Sequence, residues 1–291
     1  MSTAEACDTR PLSGLFASAY RDIMTSKKRL PSMPDVAIRL RAAMQDENHS
    51  VRTVARVVQA DASTAAYLIH VANSPIYRGV SHVEDVEMGI SRLGLRTTRN
   101  LVTAHAMRSM FQTKSKALAK IMHHTWKQSA RTAAFGAILA RRDRLFEPDR
   151  AMLAGLLQDI GILPLLGALE GNQRALRDLN RIVPTMNEFS PKVGVALLKH
   201  WGFDGELIEV ARSRLDYSRD PQPAPQLADL ILVARVLANI VQSKSDEMPN
   251  VEKVPAFAKL KLGQEEFEEL RVVLSSGDEE VREMLQLLGV G

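Results

Sequence analysis

Apolar residues recur along this chain with the period of a helix almost everywhere. After Ser50, Val51, Val54, Ala55 and Val58 fall at i, i+3, i+4 and i+7, so one face of the segment is apolar and the other polar. Spacing of this kind predicts helices over 12–24, 34–45, 51–60, 63–73, 83–93 and 96–111. A second set is predicted over 117–141, 150–160, 164–169, 174–182, 191–201, 205–213 and 226–241. Ser50 and Ser63 stand where N-caps belong. Glycine and proline mark the junctions, as in WGFDG at 201–205 and RDPQPAPQ at 219–226. No run of four to eight residues alternates as a strand would. Residues 242–264 are polar and carry prolines, which predicts a linker before two terminal helices over 265–274 and 278–288. The first helices are short, so their stability must come from packing against one another.

Composition narrows the class. With 291 residues, 45% hydrophobic and 25% charged, the chain can bury a sizeable core without staples. Its single cysteine, Cys7, allows no internal disulfide and no cysteine zinc site, which fits a reducing, cytoplasmic setting. No basic segment followed by an apolar stretch opens the chain, so no secretory signal is expected. Residues 151–169 are the nearest approach to a membrane span, but Gln158, Asp159 and Pro164 interrupt them, and a buried, broken helix pair is expected instead of insertion. The net charge of +4 is unevenly spread: from Asp246 to Gly291 there are 11 acidic and 5 basic residues, against an excess of ten positive charges before them. Either an acidic tail folds back on a basic body or the basic surface awaits an anionic partner.

A set of short motifs runs in order through the chain: LPxxP at Leu30, Pro31 and Pro34, Asp61 opening a helix, ANSxxY from Ala72 to Tyr77, and LG at Leu93 and Gly94. With HTWKQSARTAA, MLAGLLQDIGILPLL, SPKVGVALLKHWGF and LADLILVARVLA, they make residues 27–242 resemble the HDOD domain. The resemblance implies an all-α, two-lobed fold: an N-terminal helix and arm over 1–26, an N-terminal lobe over 27–112, an HD-like lobe over 117–242, and an acidic linker with C-terminal helices over 243–291.

HDOD domains are similar to HD-type phosphohydrolases, whose site uses a His, a His-Asp step and a distal Asp. Imidazole and carboxylate lone pairs hold a divalent ion there, and the ion makes a nucleophilic water near neutral pH. Carried over by position, the resemblance places the first His at Gln128 and the His of the step at Gln158, while Asp159 is kept. A further His falls on Ser190, paired histidines fall near Arg214 and Leu215, and the distal Asp falls near Arg235. A carboxamide is a weak, neutral donor. One carboxylate does not hold a catalytic metal, so neither a metal nor a cofactor nor catalysis is expected. His124, four residues before Gln128 and on the same helix face, is the one side chain that could reach toward Asp159; His123 points about 100° away. The simpler expectation for Asp159 is bonding to backbone N–H groups or to a neighbouring arginine where the helix breaks at Gly161.

Other elements carry weaker signals. Residues 50–73 have the layout of a helix-turn-helix, yet the second helix offers only Tyr67, His70 and Asn73 to bases, so a structural helix pair is expected and nucleic-acid binding is not. Asn73, Ser74 and Tyr77 are expected to form a fold-defining turn. Basic clusters occur at Lys27, Lys28 and Arg29, at Lys114, Lys116 and Lys120, and at Arg141, Arg142 and Arg144. Arg92, Arg96 and Arg99 would form one positive stripe if a single helix ran through Gly94, by default a solvated face and, on the sharper reading, a contact for an anion or a protein partner. No GxxxxGK[ST], GxGxxG or GxSxG motif occurs. The resemblance therefore implies a bacterial signal-transduction module that works by protein–protein interaction, in motility, biofilm or cyclic di-GMP regulation. The alternative is a sensor of an anionic ligand such as a cyclic dinucleotide, ahead of residual phosphohydrolase activity.

Overall fold

A computed structural model describes residues 12–25, 29–46, 49–170, 179–243, 253–275 and 279–290; Cys7, Lys27 and Lys28 lie outside them. The described residues are helical, with no strand among them. Helix α1 (Leu12–Met24) packs on the second lobe through Leu15, Phe16, Ala19 and Ile23. The N-terminal lobe consists of α2 (Asp35–Gln45), α3 (Val51–Gln59), α4 (Ala62–Asn73), α5 (Val86–Leu93) and α6 (Leu95–Met107). A 3-10 turn at Arg108–Phe111 leads to the second lobe, which contains α7 (Lys116–Asp143), α8 (Pro148–Leu157), α9 (Ile162–Leu166), α10 (Leu179–His200), α11 (Gly205–Ser213) and α12 (Leu227–Ser243). The C-terminal extension adds α13 (Pro255–Lys259), α14 (Gln264–Ser275) and α15 (Glu279–Leu287).

Side-chain caps set many of the boundaries. Ser50 accepts from the Thr53 N–H at 3.2 Å, Asp61 from Thr64 at 2.7 Å, and Asp85 from Met88 at 2.8 Å. Asp61, not Ser63, is thus the cap of α4. Ser63 lies one residue inside the helix, with its hydroxyl 3.2 Å from His105 Nε2. Gly94 ends α5 and begins α6 at φ 80°, a left-handed conformation that glycine adopts without strain.

Asn73 pins the loop after α4. Its amide donates to the Ile69 and Val83 carbonyls at 3.1 and 2.8 Å, and its oxygen accepts from the Val83 N–H at 2.8 Å. Tyr67 is buried and stacked on His105 with ring centroids 4.1 Å apart. Two of the three side chains a recognition helix would need are therefore turned to internal work. Asn73→Ala is expected to lower unfolding stability by about 2 kcal/mol, since it strands both Val83 backbone groups; urea denaturation with a loss under about 0.5 kcal/mol would contradict this clamp.

Helices α7 and α8 form the centre of the second lobe. Every residue of α9 is buried, as is nearly all of α8. The stretch Pro148–Leu169 is long and apolar enough to cross a membrane, but 89% of its apolar window lies inside the protein.

Two further expectations fail. Instead of separate helices over 174–182 and 191–201, α10 runs through Pro184 and Pro191; position 174, where the first was to start, lies outside the described residues. Each proline removes a helix hydrogen bond, but Ile182, Met186, Val193, Leu197 and Leu198 bury one continuous face and outweigh the loss. Within the expected linker, α13 buries Phe257 against Phe267, with ring centroids 5.3 Å apart. The acidic extension folds back on the body. Val281, Met284, Leu287 and Leu288 are buried, Trp126 Nε1 donates to the Leu288 carbonyl at 3.2 Å, and Glu280 pairs with Arg141 at the rim. Apolar burial does most of this docking, because a half-exposed ion pair contributes little.

Candidate functional site

Asp159 sits in the tight turn that joins α8 to α9, where its carbonyl accepts from the Ile162 N–H at 3.0 Å. The side chain points into the lobe and is only 2% exposed. Two arginines meet it there. Arg214, just past α11, donates from Nε to Oδ1 at 2.6 Å, and Arg235 of α12 donates from Nη1 to Oδ2 at 2.8 Å. Ser129 of α7 adds a longer bond, 3.3 Å, to Oδ2. Arg214 is itself fixed, with Nη1 donating to Ser190 Oγ at 2.9 Å and Nη2 to Asn187 Oδ1 at 3.1 Å.

The electrostatics follow from this geometry. Burial alone would raise the Asp159 pKa, but the charges of Arg214 and Arg235 and their hydrogen bonds pull it down to about 2. The carboxylate is therefore ionised at any physiological pH, and it neutralises one of the two buried guanidinium charges.

The positions at which the resemblance expects metal ligands thus come together in space without metal-binding chemistry. Gln128 donates its amide to Asn239 Oδ1. Gln158 is buried beside Asp159, and neither of its amide atoms has a hydrogen-bond partner among the described residues. Ser190 serves Arg214, and Arg235 stands where the distal carboxylate would be, with its charge reversed. These residues do not fit a divalent ion: both oxygens of the one carboxylate are taken by cations, and two guanidinium groups would repel a third positive centre. His124 does not reach the site, since both it and His123 are exposed on the outside of α7. No cluster of three or more His, Cys, Asp or Glu residues suited to a metal occurs among the described residues.

Arg92, Arg96 and Arg99 do not form a stripe, because Gly94 ends one helix and starts another. Arg92 folds back on its own lobe, donating to the Ala72 carbonyl at 3.0 Å and Ser81 Oγ at 3.2 Å. Arg96 is exposed and bonds Glu147 at 2.9 Å. Arg99 alone turns into the cleft between the lobes, where Arg41, Asn100 and Arg150 also lie. Sequence reading missed Arg41, Asn100 and Arg150; they come from three helices far apart in the chain, and no periodicity or spacing links them.

The HDOD domain family matches residues 30–216. Among solved structures, a candidate metal-dependent phosphohydrolase from Shewanella amazonensis SB2B is similar with 22% identity and a TM-score of 0.77, over 95% of this chain and 97% of that one. An HDOD domain protein of unknown function from Geobacter sulfurreducens is similar with 16% identity and a TM-score of 0.65, over 95% and 99%. A candidate signal transduction protein from Marinobacter aquaeolei VT8 is similar with 17% identity and a TM-score of 0.61, over 99% and 69%. At these identities the likeness concerns the fold. No curated protein matches the chain.

Proposed function

Because the chain belongs to the HDOD domain family, we propose that it is a non-catalytic signal-transduction module that works by engaging a protein partner. The observation that carries the non-catalytic half is the double arginine clamp on Asp159. Hydrolysis by a metal-bound water needs open coordination positions and ionisable ligands, and in this pocket both oxygens of the one carboxylate are instead held by arginines. The same residues that would have bound metal now tie α8, α10, α11 and α12 together, so the site has become a structural knot. The signalling half is supported by the family and by the similar fold of the Marinobacter protein, which is named for signal transduction.

The test is direct. Purified protein is expected to carry far less than one metal ion per chain by elemental analysis and to show no hydrolysis of bis-p-nitrophenyl phosphate when manganese is supplied. Manganese-dependent turnover that disappears in Asp159→Asn would overturn the reading. Affinity purification from the native host is expected to recover a signalling component, and recovery of none, with no signalling defect on deletion, would remove the partner half. A second reading, an anion-sensing module, is favoured by the arginines of the interlobe cleft.

A further inference from the structure

The cleft between the lobes is a cavity of about 250 Å³ whose walls come from α2 and α6 on one side and from α8 and the α10–α11 turn on the other. Three arginines and one carboxylate, Asp204, line it. Two of the arginines are committed. Arg41 donates to the Trp201 and Gly202 carbonyls at the end of α10, and its guanidinium lies 5.7 Å from the Phe203 ring centroid. Arg150 pairs with Asp204 at 2.5 Å and Glu206 at 3.1 Å.

Arg99 differs. It is half-buried and makes no hydrogen bond or ion pair with any described residue. Burial and the nearby Arg150 and Arg41 charges disfavour its protonated form, with Asp204 and Asp149 offsetting only part of this. An unpaired, partly desolvated guanidinium is costly unless something completes it.

Two neighbours on α6 sharpen the picture. Thr103, four residues on and on the same helix face, presents its side chain to the cavity. Asn100 is 1% exposed; it donates to Asp149 Oδ2 at 2.6 Å, while its oxygen has no partner among the described residues. That oxygen calls for a donor, which a hydroxyl or amine of an organic ligand can supply. Apart from Gln45, the remaining wall is apolar, with Met33, Leu153, Phe203 and Leu207. A second cavity of about 330 Å³ adjoins it and shares Met33, Arg41 and Gln45.

We infer that this interlobe cleft binds a small organic phosphate of the nucleotide class, with the phosphate on Arg99, a hydroxyl or amine donor toward Asn100, and the apolar body against Phe203 and Met33. Arg99, the lining guanidinium left without a partner among the described residues, suits a phosphate, which an arginine fork can hold through two parallel bonds. Such a ligand would touch both lobes at once, so its binding energy would favour the arrangement of the two seen here. The inference goes beyond the non-catalytic reading and does not depend on it.

Titration calorimetry of the full chain at low salt, with inorganic phosphate, adenosine and guanosine monophosphates and cyclic di-GMP as probes, decides the matter. One nucleotide is expected to bind at one per chain, with affinity that weakens as salt rises. Arg99→Ala is expected to weaken it about tenfold or more, and Arg99→Lys less. Phe203→Ala should weaken the nucleotide but not inorganic phosphate. Arg52→Ala, exposed on α3 beside Glu87, should change nothing. Absence of heat and of thermal shift with every nucleotide overturns the proposal, as does binding no tighter than inorganic phosphate, or binding that survives Arg99→Ala in a protein that still melts like the parent. If the bound nucleotide is recovered hydrolysed, the site stands and the non-catalytic reading falls.

Discussion

Asp159→Asn is expected to destabilise the protein by about 3–5 kcal/mol, because it removes the one carboxylate among the described residues that faces these two buried guanidinium groups. Arg214 is 1% exposed in its side chain and Arg235 10%, so neither charge can turn to water without breaking the lobe open. Isosteric asparagine keeps the volume, which separates the electrostatic loss from a cavity effect. A control closes the argument. Replacing all three residues with apolar side chains of similar volume, for instance Asp159→Leu with Arg214→Met and Arg235→Met, is expected to recover most of the loss, since a buried ion cluster carries its own desolvation cost. Urea unfolding measures both; a loss below about 1 kcal/mol in Asp159→Asn would mean that the clamp is not closed in solution.

The same group sets part of the acid limb. Its pKa is lowered from the ordinary 3.8 to about 2 in the folded protein, so its contribution is fully present above the ordinary value and is lost as pH falls through about 2. The parent should therefore lose stability over that window, while Asp159→Asn, which lacks the group, should show a shallower fall there.

How much of this was legible in the sequence depends on how local the cause is. The span 205–213 is read correctly to the residue, as is the end of the first helix at Met24, because their apolar faces are complete and the former has the cap Asp204. Pro184 and Pro191 look like helix breakers locally, and only the buried face of α10, formed against α1, α9 and α11, overrides them. Helix α13 has five residues, too few to show a period, and its evidence is the Phe257–Phe267 contact. At the candidate site, the replacements at Gln128, Gln158, Ser190 and Arg235 are visible by position, and an arginine partner for Asp159 is a natural expectation for a buried carboxylate. The same carry-over places Arg214 and Arg235 at the site, but that both close on Asp159, 55 and 76 residues away, is set by the fold. The cleft around Arg99 is still less so, because its arginines sit on helices α2, α6 and α8 and share no pattern.

Gly161→Ala is expected to be as damaging as the loss of the carboxylate, at about 3 kcal/mol or more, or to prevent folding altogether. Backbone strain is not the reason, because Gly161 has φ −66° and ψ −12°, which alanine adopts freely. Space is the reason. A Cβ there would run into the Ser190 carbonyl oxygen and the Gly194 nitrogen, and would lie 2.9 Å from Gly194 Cα, all of them α10 backbone that cannot yield as a side-chain tip can. Relief requires α10 to move away from the α8–α9 turn. That movement would carry off Ser190, which positions Arg214, and so would loosen the grip on Asp159 two residues before the substitution. Gly194→Ala supplies the contrast: its Cβ would meet Ala211 Cβ at 3.4 Å and the Gly161 backbone at 3.5 Å, ordinary or slightly tight contacts, so a cost of about 1 kcal/mol or less is expected. Thermal unfolding of the pair tests the geometry, since equal melting of Gly161→Ala and the parent would show that the turn and α10 do not touch backbone to backbone. The packing of Gly161 on Gly194 also holds the Asp159 turn, and with it the carboxylate, where the two arginines can reach it.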